Sequence, residues 1–240
     1  MSKSLNQFFL EIIFPNFCVI CEEYGPPLCE KCLKGIPLNK KDVCPICEKR
    51  DSYVGSVCGF CQKKKNNFFL DGLLVASFYK NPLLKKAIYN FKYNLVKELS
   101  FPLAQILAKK FLKFHPGFKN FVFTSVPLHS KKLFLRGFNQ SSLLGNNLQK
   151  ILEQKGIEVS FTENILQRTK NNSPQMKIKS IKARKENVKN CFGVSSQELP
   201  SRMILIDDII TTGATLNECA RVLKKNGVKV VWGLVLARQG

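Results

Sequence analysis

Two adjacent carboxylates, Asp207 and Asp208, stand between an apolar run and a hydroxyl-rich turn. The run is Met203, Ile204, Leu205 and Ile206, and the turn is Thr211, Thr212, Gly213, Ala214 and Thr215. Such a turn suits a phosphate. Threonine hydroxyls donate hydrogen bonds, and free N–H groups at a helix start attract an anion. Gly213 lets the backbone approach closely. The carboxylates would repel a phosphate, so they suit hydroxyls, from which they accept hydrogen bonds. A phosphate beside vicinal hydroxyls describes a ribose 5-phosphate. A Walker loop is ruled out, because the Gly-x4-Gly-Lys pattern is absent.

Those groups need a strand that ends at the carboxylates and a helix that starts after the turn. The apolar run suits a strand buried on both faces of a parallel sheet. Residues Leu216 to Lys225 have helical spacing, and Asn226 with Gly227 closes them. Ligands of open α/β sheets bind at the carboxyl ends of strands, beside helix N-termini. Upstream, residues 70–79 and 121–128 read as strands, and 82–93 and 95–114 as amphipathic helices, the second ended by His115, Pro116 and Gly117. A helix is expected from about Asn139 to Lys155, with Gly156 stopping it, and further strands near 157–161 and 228–236. Strands alternating with helices predict an α/β fold with a parallel sheet.

Eight of ten cysteines form four Cys-x2-Cys pairs: Cys18 and Cys21, Cys29 and Cys32, Cys44 and Cys47, Cys58 and Cys61. One such turn sets two thiolates on a tetrahedral metal, and two complete a four-cysteine zinc site. Two Zn2+ are expected. The simplest grouping is sequential, although the spacing also allows an interleaved one. Four thiolates leave no open position, so the sites are structural. Residues 16–65 hold few large apolar side chains, and metal would supply their folding energy. Cys219 shares a helical face with Leu216 and Leu223 and reads as core. Cys191 receives no catalytic role.

The Leu205–Thr215 segment resembles the PRPP-binding signature of type I phosphoribosyltransferases. The resemblance implies that Asp207 and Asp208 hold the ribose 2- and 3-hydroxyls. It implies that Thr211, Thr212, Gly213, Ala214 and Thr215 wrap the 5-phosphate, with Mg2+ accompanying PRPP. A second run carries Val126, Pro127, Leu128 and His129, then Lys131 and Lys132, then Arg136 to Ser141. Lys131, Lys132 and Arg136 supply cations that could meet the pyrophosphate end, and Arg136 can hold an anion bidentately, while Lys131 and Lys132 read equally well as a solvated charged edge. The cysteine pairs, this run and the acidic segment, in that order, are similar to the ComF/GntX family. That family joins an N-terminal zinc module to a phosphoribosyltransferase domain. Arg168, Thr169, Gln175, Arg184, Asn187, Val188 and Phe192 add weaker agreement. The expected fold is thus a type I phosphoribosyltransferase-like sheet at 68–240 behind a helix and double zinc ribbon at 1–65.

The net charge of +21 points to a polyanionic partner. Residues 68–240 hold 28 Lys/Arg against 10 Asp/Glu, and residues 1–67 hold 10 against 7. Two zinc–thiolate units, each about −2, leave the N-terminal module near neutral, which suits docking. Residues 168–192 carry eight Lys/Arg and one acid, a basic loop able to cover a substrate or contact a DNA backbone. No apolar stretch reaches transmembrane length. The patch at 8–14 carries Glu11 and lacks a cleavage site, so no export signal is read there and the expected location is cytoplasmic. The family resemblance implies natural competence, with single-stranded DNA, a DNA-import helicase or other competence proteins as partners. An active phosphoribosyltransferase of nucleotide or cofactor metabolism is the alternative; no segment identifies its acceptor. A glutamine-dependent amidotransferase is disfavoured, because residue 2 is Ser and the paired cysteines are committed to metal.

Overall fold

Apolar residues run almost without interruption along β-strand segments 72–78, 203–206 and 230–237, so these strands bury both faces. The computed structural model describes residues 17–50, 52, 55–64, 67–113, 120–170, 186, 188–195 and 198–239. The apolar patch at 8–14 and most of the basic loop, including Gln175, Arg184 and Asn187, lie outside the described residues. Two short helices, α1 (Glu30–Lys34) and α2 (Gly59–Lys63), belong to the cysteine-rich segment. Then follow β1 (Gly72–Phe78), α3 (Pro82–Tyr93), a 3-10 turn, α4 (Ser100–Leu112) and β2 (Val122–Ser125). Next come α5 (Ser130–Arg136), α6 (Gln140–Glu153) and β3 (Ser160–Phe161). The chain closes with β4 (Leu166–Arg168), β5 (Phe192–Val194), β6 (Arg202–Ile210), α7 (Ala214–Lys225) and β7 (Val230–Arg238).

Five strands form one sheet in the order β1-β7-β6-β2-β3, and every pairing in it is parallel. One face buries Leu74, Ala76, Phe123, Ile204, Ile206 and Leu234 with residues of α3, α4 and α6. The other buries Leu73, Met203, Leu205, Val231 and Val235 under Leu216, Cys219 and Leu223 of α7. The connection from β2 through α6 leads outward to β3, while β6 through α7 leads the opposite way to β7. The connections that leave the neighbouring strands β2 and β6 therefore part at the carboxyl ends, which opens a crevice there.

Several ends follow from local sequence. Asn139 caps α6, its side chain accepting from the Ser141 N–H. Gly227, at φ +98°, follows the end of α7. Three elements differ from the sequence expectation. Residues 130–136 fold as a helix, α5, with the His129 side chain accepting from the Lys131 N–H and Gly137 in the left-handed region at φ +70°. β4 and β5 pair antiparallel as a separate two-stranded sheet. β3 is only two residues long.

The cysteine-rich segment is tied to the sheet. The Asn39 N–H donates to the Ala76 carbonyl at 2.8 Å, and the Val57 N–H to the Asp71 carbonyl at 3.1 Å. The Ser77 hydroxyl donates to the Pro37 carbonyl at 2.6 Å. Lys110 of α4, 1 % exposed, pairs with Asp42 at 2.7 Å. Among the described residues, no helix is long and apolar enough to cross a membrane.

Candidate functional site

The crevice beyond β2 and β6 holds a cavity of about 730 Å³, within the range typical of small-molecule sites. Strand ends supply its floor: Tyr79 after β1, Val126 and Pro127 after β2, Asp207, Asp208 and Ile209 on β6 with Thr211 after it, and Gln239 after β7. The period of two along β6 turns Asp207 and Asp208 to opposite sides of the strand. Asp208, 6 % exposed, meets Lys92 of α3 at 2.8 Å. Its Oδ1 also accepts from the Ile209 N–H at 2.6 Å. The Asp207 Oδ1 accepts from the Ser141 hydroxyl at 2.9 Å and from the Asp208 N–H at 2.9 Å.

Burial, and then the neighbouring Asp208 charge, push the Asp207 carboxyl up to about 7. Lys92 and the hydrogen bonds from Asp208 and Ser141 pull the other way. A raised carboxyl binds its proton more tightly in the folded than in the unfolded chain. Its contribution to stability is full below about pH 4 and is lost as pH rises through about 7. Asp207→Asn is therefore expected to stabilise the protein at pH 8 by about 1–2 kcal/mol, after discounting for partial exposure and lost hydrogen bonds. At pH 4 the change should be near zero. Melting curves at the two pH values check this, and an equal shift at both would contradict it.

The turn after β6 completes the strand-to-helix step. Gly213, at φ +74°, is the N-cap residue of α7. A Cβ there would meet the Ile210 Cδ1 at 3.3 Å, in a backbone region that side chains disfavour. Thr211 and Thr215 line the cavity. Thr212, Gly213 and Ala214 build the turn itself, with the Ala214 N–H donating to the Thr212 Oγ1 at 3.5 Å.

Six cations face the same space: Lys85, Lys86 and Lys92 from α3, Lys132 and Arg136 from α5, and Arg168 from β4. Burial lowers the Lys132 ammonium below its ordinary value, and the charges of Arg168, Arg136 and Lys92 lower it further. An anion seated among them would relieve that repulsion. The Arg136 Nη1 donates to the Gln140 Oε1 at 2.9 Å. The expected residues thus divide by position. Asp207, Asp208, Thr211, Thr215 and Arg136 meet in the cavity, whereas Lys131 lies in a separate shallow groove with Ser130, Phe134 and Leu135. Lys92 was not legible as a site residue, since one lysine on an amphipathic helix gives no signal. Tyr89 and Tyr93 escaped for the same reason.

The cysteines fall into two sets in sequence order. Cys18, Cys21, Cys29 and Cys32 form one, and Cys44, Cys47, Cys58 and Cys61 the other, with all sulfurs of a set within 4.8 Å of one another. Either set could hold a zinc ion. A tetrahedral Zn–S bond of about 2.3 Å implies sulfur–sulfur distances of about 3.8 Å. Cys21 and Cys29 stand 3.7 Å apart, and Cys47 and Cys58 4.0 Å. Matching N–H donors meet both sets: Cys29 N–H to the Cys18 sulfur at 3.5 Å, and Cys58 N–H to the Cys44 sulfur at 3.4 Å. Hydrogen bonds from the Lys49 and Arg50 backbone lower Cys47 to about 6. Burial opposes ionisation of Cys18, but N–H donors around it prevail and lower it to about 6. Burial and the other sulfurs push Cys32 and Cys61 up to about 12. These are the sets a divalent metal would draw together by taking up the last protons' place.

No protein-family model matches the chain. Among curated proteins it is similar to "Competence protein F" of Haemophilus influenzae, 32% identical over 217 residues, covering 87% of this chain and 89% of that one. It is 28% identical over 235 residues to "DNA utilization protein YhgH" of Escherichia coli K12, covering 93% and 97%. It is 28% identical over 204 residues to "Competence protein ComFC" of Bacillus subtilis, covering 83% and 79%. Among solved structures, hypoxanthine-guanine phosphoribosyltransferase from Schistosoma mansoni aligns with 59% of the chain and 57% of its own, at 14% identity and a TM-score of 0.31. That score is too low to carry any argument.

Proposed function

Because the chain belongs to the ComF family, we propose that it acts in natural competence, handling single-stranded DNA on the cytoplasmic side, and binds PRPP in the β6 crevice. The observation that carries the ligand is a juxtaposition. A hydroxyl-rich helix start, a carboxylate pair and a cluster of mutually repelling cations converge on one cavity. The turn Thr211–Thr215 would take the 5-phosphate. Asp207 and Asp208 would accept from the ribose hydroxyls, and Lys132, Arg136 and Arg168 would face the pyrophosphate. Among the described residues, the groups of three or more candidate metal ligands are the two cysteine sets. Mg2+ would therefore enter on the ligand's own phosphates.

Calorimetry of the zinc-loaded protein with PRPP and Mg2+ tests this. Saturable binding is expected, weakened at least tenfold by Lys132→Ala combined with Arg136→Ala, since two charge-assisted contacts to an anion are lost. A null titration removes the ligand from the account. The net charge of residues 68–240, 28 positive against 10 negative, favours DNA as a partner. Binding of single-stranded DNA that weakens with salt and survives Asp207→Asn with Asp208→Asn would put the strand on a surface apart from the sugar. The near-neutral metal module would dock a DNA-import helicase or another competence protein.

The size of the cavity favours a second reading, an active pentosyltransferase. Positioning and charge stabilisation suffice for that chemistry, and no side-chain nucleophile is needed. The cations would stabilise charge growing on the departing pyrophosphate. Pyrophosphate release in the presence of candidate bases separates this reading from binding alone.

A further inference from the structure

Helix α5 owes its shape to its ends and not to the core. The His129 side chain accepts from the Lys131 N–H, Gly137 closes the helix at φ +70°, and none of its seven residues is buried. Lys132 and Arg136 turn to the crevice. Leu133, Phe134 and Leu135 stand 43%, 89% and 75% exposed. Phe134 and Leu135 are the two most exposed large apolar side chains among the described residues, and they are neighbours in the chain. A lone exposed leucine is ordinary on a protein surface, whereas adjoining apolar side chains mark a contact. With Ser130 and Lys131 they line a groove of about 430 Å³, separate from the crevice. Its surroundings are positive. No ion pair joins Lys131 to another described residue. Burial lowers the adjacent His129 below its ordinary value, and the cations Arg168, Lys131 and Lys132 lower it further.

We propose that this face of α5 docks an acidic peptide, a segment of a partner protein in which a run of Asp or Glu leads to a bulky apolar residue. The apolar residue enters the groove against Phe134 and Leu135, and the carboxylates meet Lys131. Charge selects this occupant. The chain holds 38 Lys/Arg against 17 Asp/Glu, so a second copy would bring cations against cations. A nucleic-acid backbone has the right charge but no apolar side chain to cover Phe134. An anionic lipid surface offers both. A concave groove, however, suits one inserted side chain better than a flat boundary. At seven residues, α5 is also far shorter than the roughly 20–30 residues of many helices that lie in a bilayer interface. Docking here does not depend on a sugar phosphate in the crevice, which is served by other residues of the same helix.

The test is fluorescence anisotropy on the zinc-loaded full chain with a labelled peptide, a run of Asp and Glu ending in Leu-Phe. Saturable binding that weakens as salt is added is expected. Phe134→Ser with Leu135→Ser should weaken it about tenfold or more, the loss of one buried apolar contact. Both side chains are exposed, so circular dichroism and melting temperature should stay as in the parent. Lys131→Glu should also weaken binding and flatten its salt dependence. A control peptide with Ser-Ser in place of Leu-Phe should bind about tenfold less tightly. No binding of the Leu-Phe peptide overturns the docking face. Binding unchanged in the double serine variant does the same, since the peptide then sits elsewhere, and so does a control peptide of equal affinity. Vesicles of phosphatidylglycerol are the remaining arm, and the double serine variant should bind them as the parent does. Vesicle binding lost with Phe134 and Leu135 makes the face a membrane contact and overturns the peptide.

Discussion

Stripping metal from the purified protein is expected to unfold the segment from Cys18 to Lys64. Structural zinc contributes on the order of 10–16 kcal/mol in small zinc-dependent peptides. Among the described residues, the buried apolar cluster around the second cysteine set is Cys44, Val57 and Cys61, with Ile46 and Phe68 partly buried against it. That half should go first. The first set is better supported, since Cys18 and Cys32 join the main core with Leu28 and Ile36. Metal analysis of fresh protein should give two Zn2+ per chain, and less than one would count against the sites. A chelator should remove circular dichroism signal and lower the melting temperature, with zinc restoring both. The retention of metal should also fall with pH, because every bound thiolate competes with a proton.

Asp42→Ala is expected to cost about 3–5 kcal/mol, the usual penalty for breaking a buried ion pair from one side. Lys110 is 1 % exposed, 2.7 Å from the Asp42 carboxylate and 2.9 Å from the Asn39 carbonyl to which it donates. Burial lowers the Lys110 ammonium below its ordinary range, and Asp42 is the charge that opposes this. Without the carboxylate, the ammonium must lose its proton or draw water inward. At roughly 2–4 °C per kcal/mol for a chain of this size, the melting point should drop by about 6–20 °C. Adding Lys110→Met to the variant should recover much of the loss, because an apolar side chain of similar length needs no partner. A double variant as unstable as the single one would show that packing around Asp42, and not charge, is at stake.

The long elements were legible in the sequence because their periodicity is strong. β6, α7, β1, α3 and α6 follow from apolar spacing, and the Asn139 cap follows from residue type. α5 was not legible: seven residues with Lys131 and Lys132 beside Leu133, Phe134 and Leu135 read equally well as a basic loop. β4 and β5, three residues each, are too short to carry a period. The cysteine spacing left the grouping open, and the placement of the sulfurs settles it as sequential. At the crevice, the carboxylates and the threonine turn are contiguous in the chain, so their chemistry could be read directly. Lys92, Ser141 and Arg168 arrive from three other elements. Their approach to residues 207 and 208 is a property of strand order, which no local pattern encodes.

Lys86 joins two parts of the molecule that chemistry would otherwise keep separate. Its ammonium donates to the Ile20 carbonyl at 3.1 Å and pairs with Glu22 at 3.1 Å, while its own helix delivers Lys92 to Asp208. Ile20 sits inside the first Cys-x2-Cys loop, between Cys18 and Cys21. Were that loop to hold zinc, loss of the ion would slacken helix α3, which carries Lys92 to the crevice. Reciprocity requires the converse, that an occupied crevice tighten the hold on the ion. If the proposed ion and the proposed sugar phosphate both bind, the Lys86 tie would make the hold on each depend on the other.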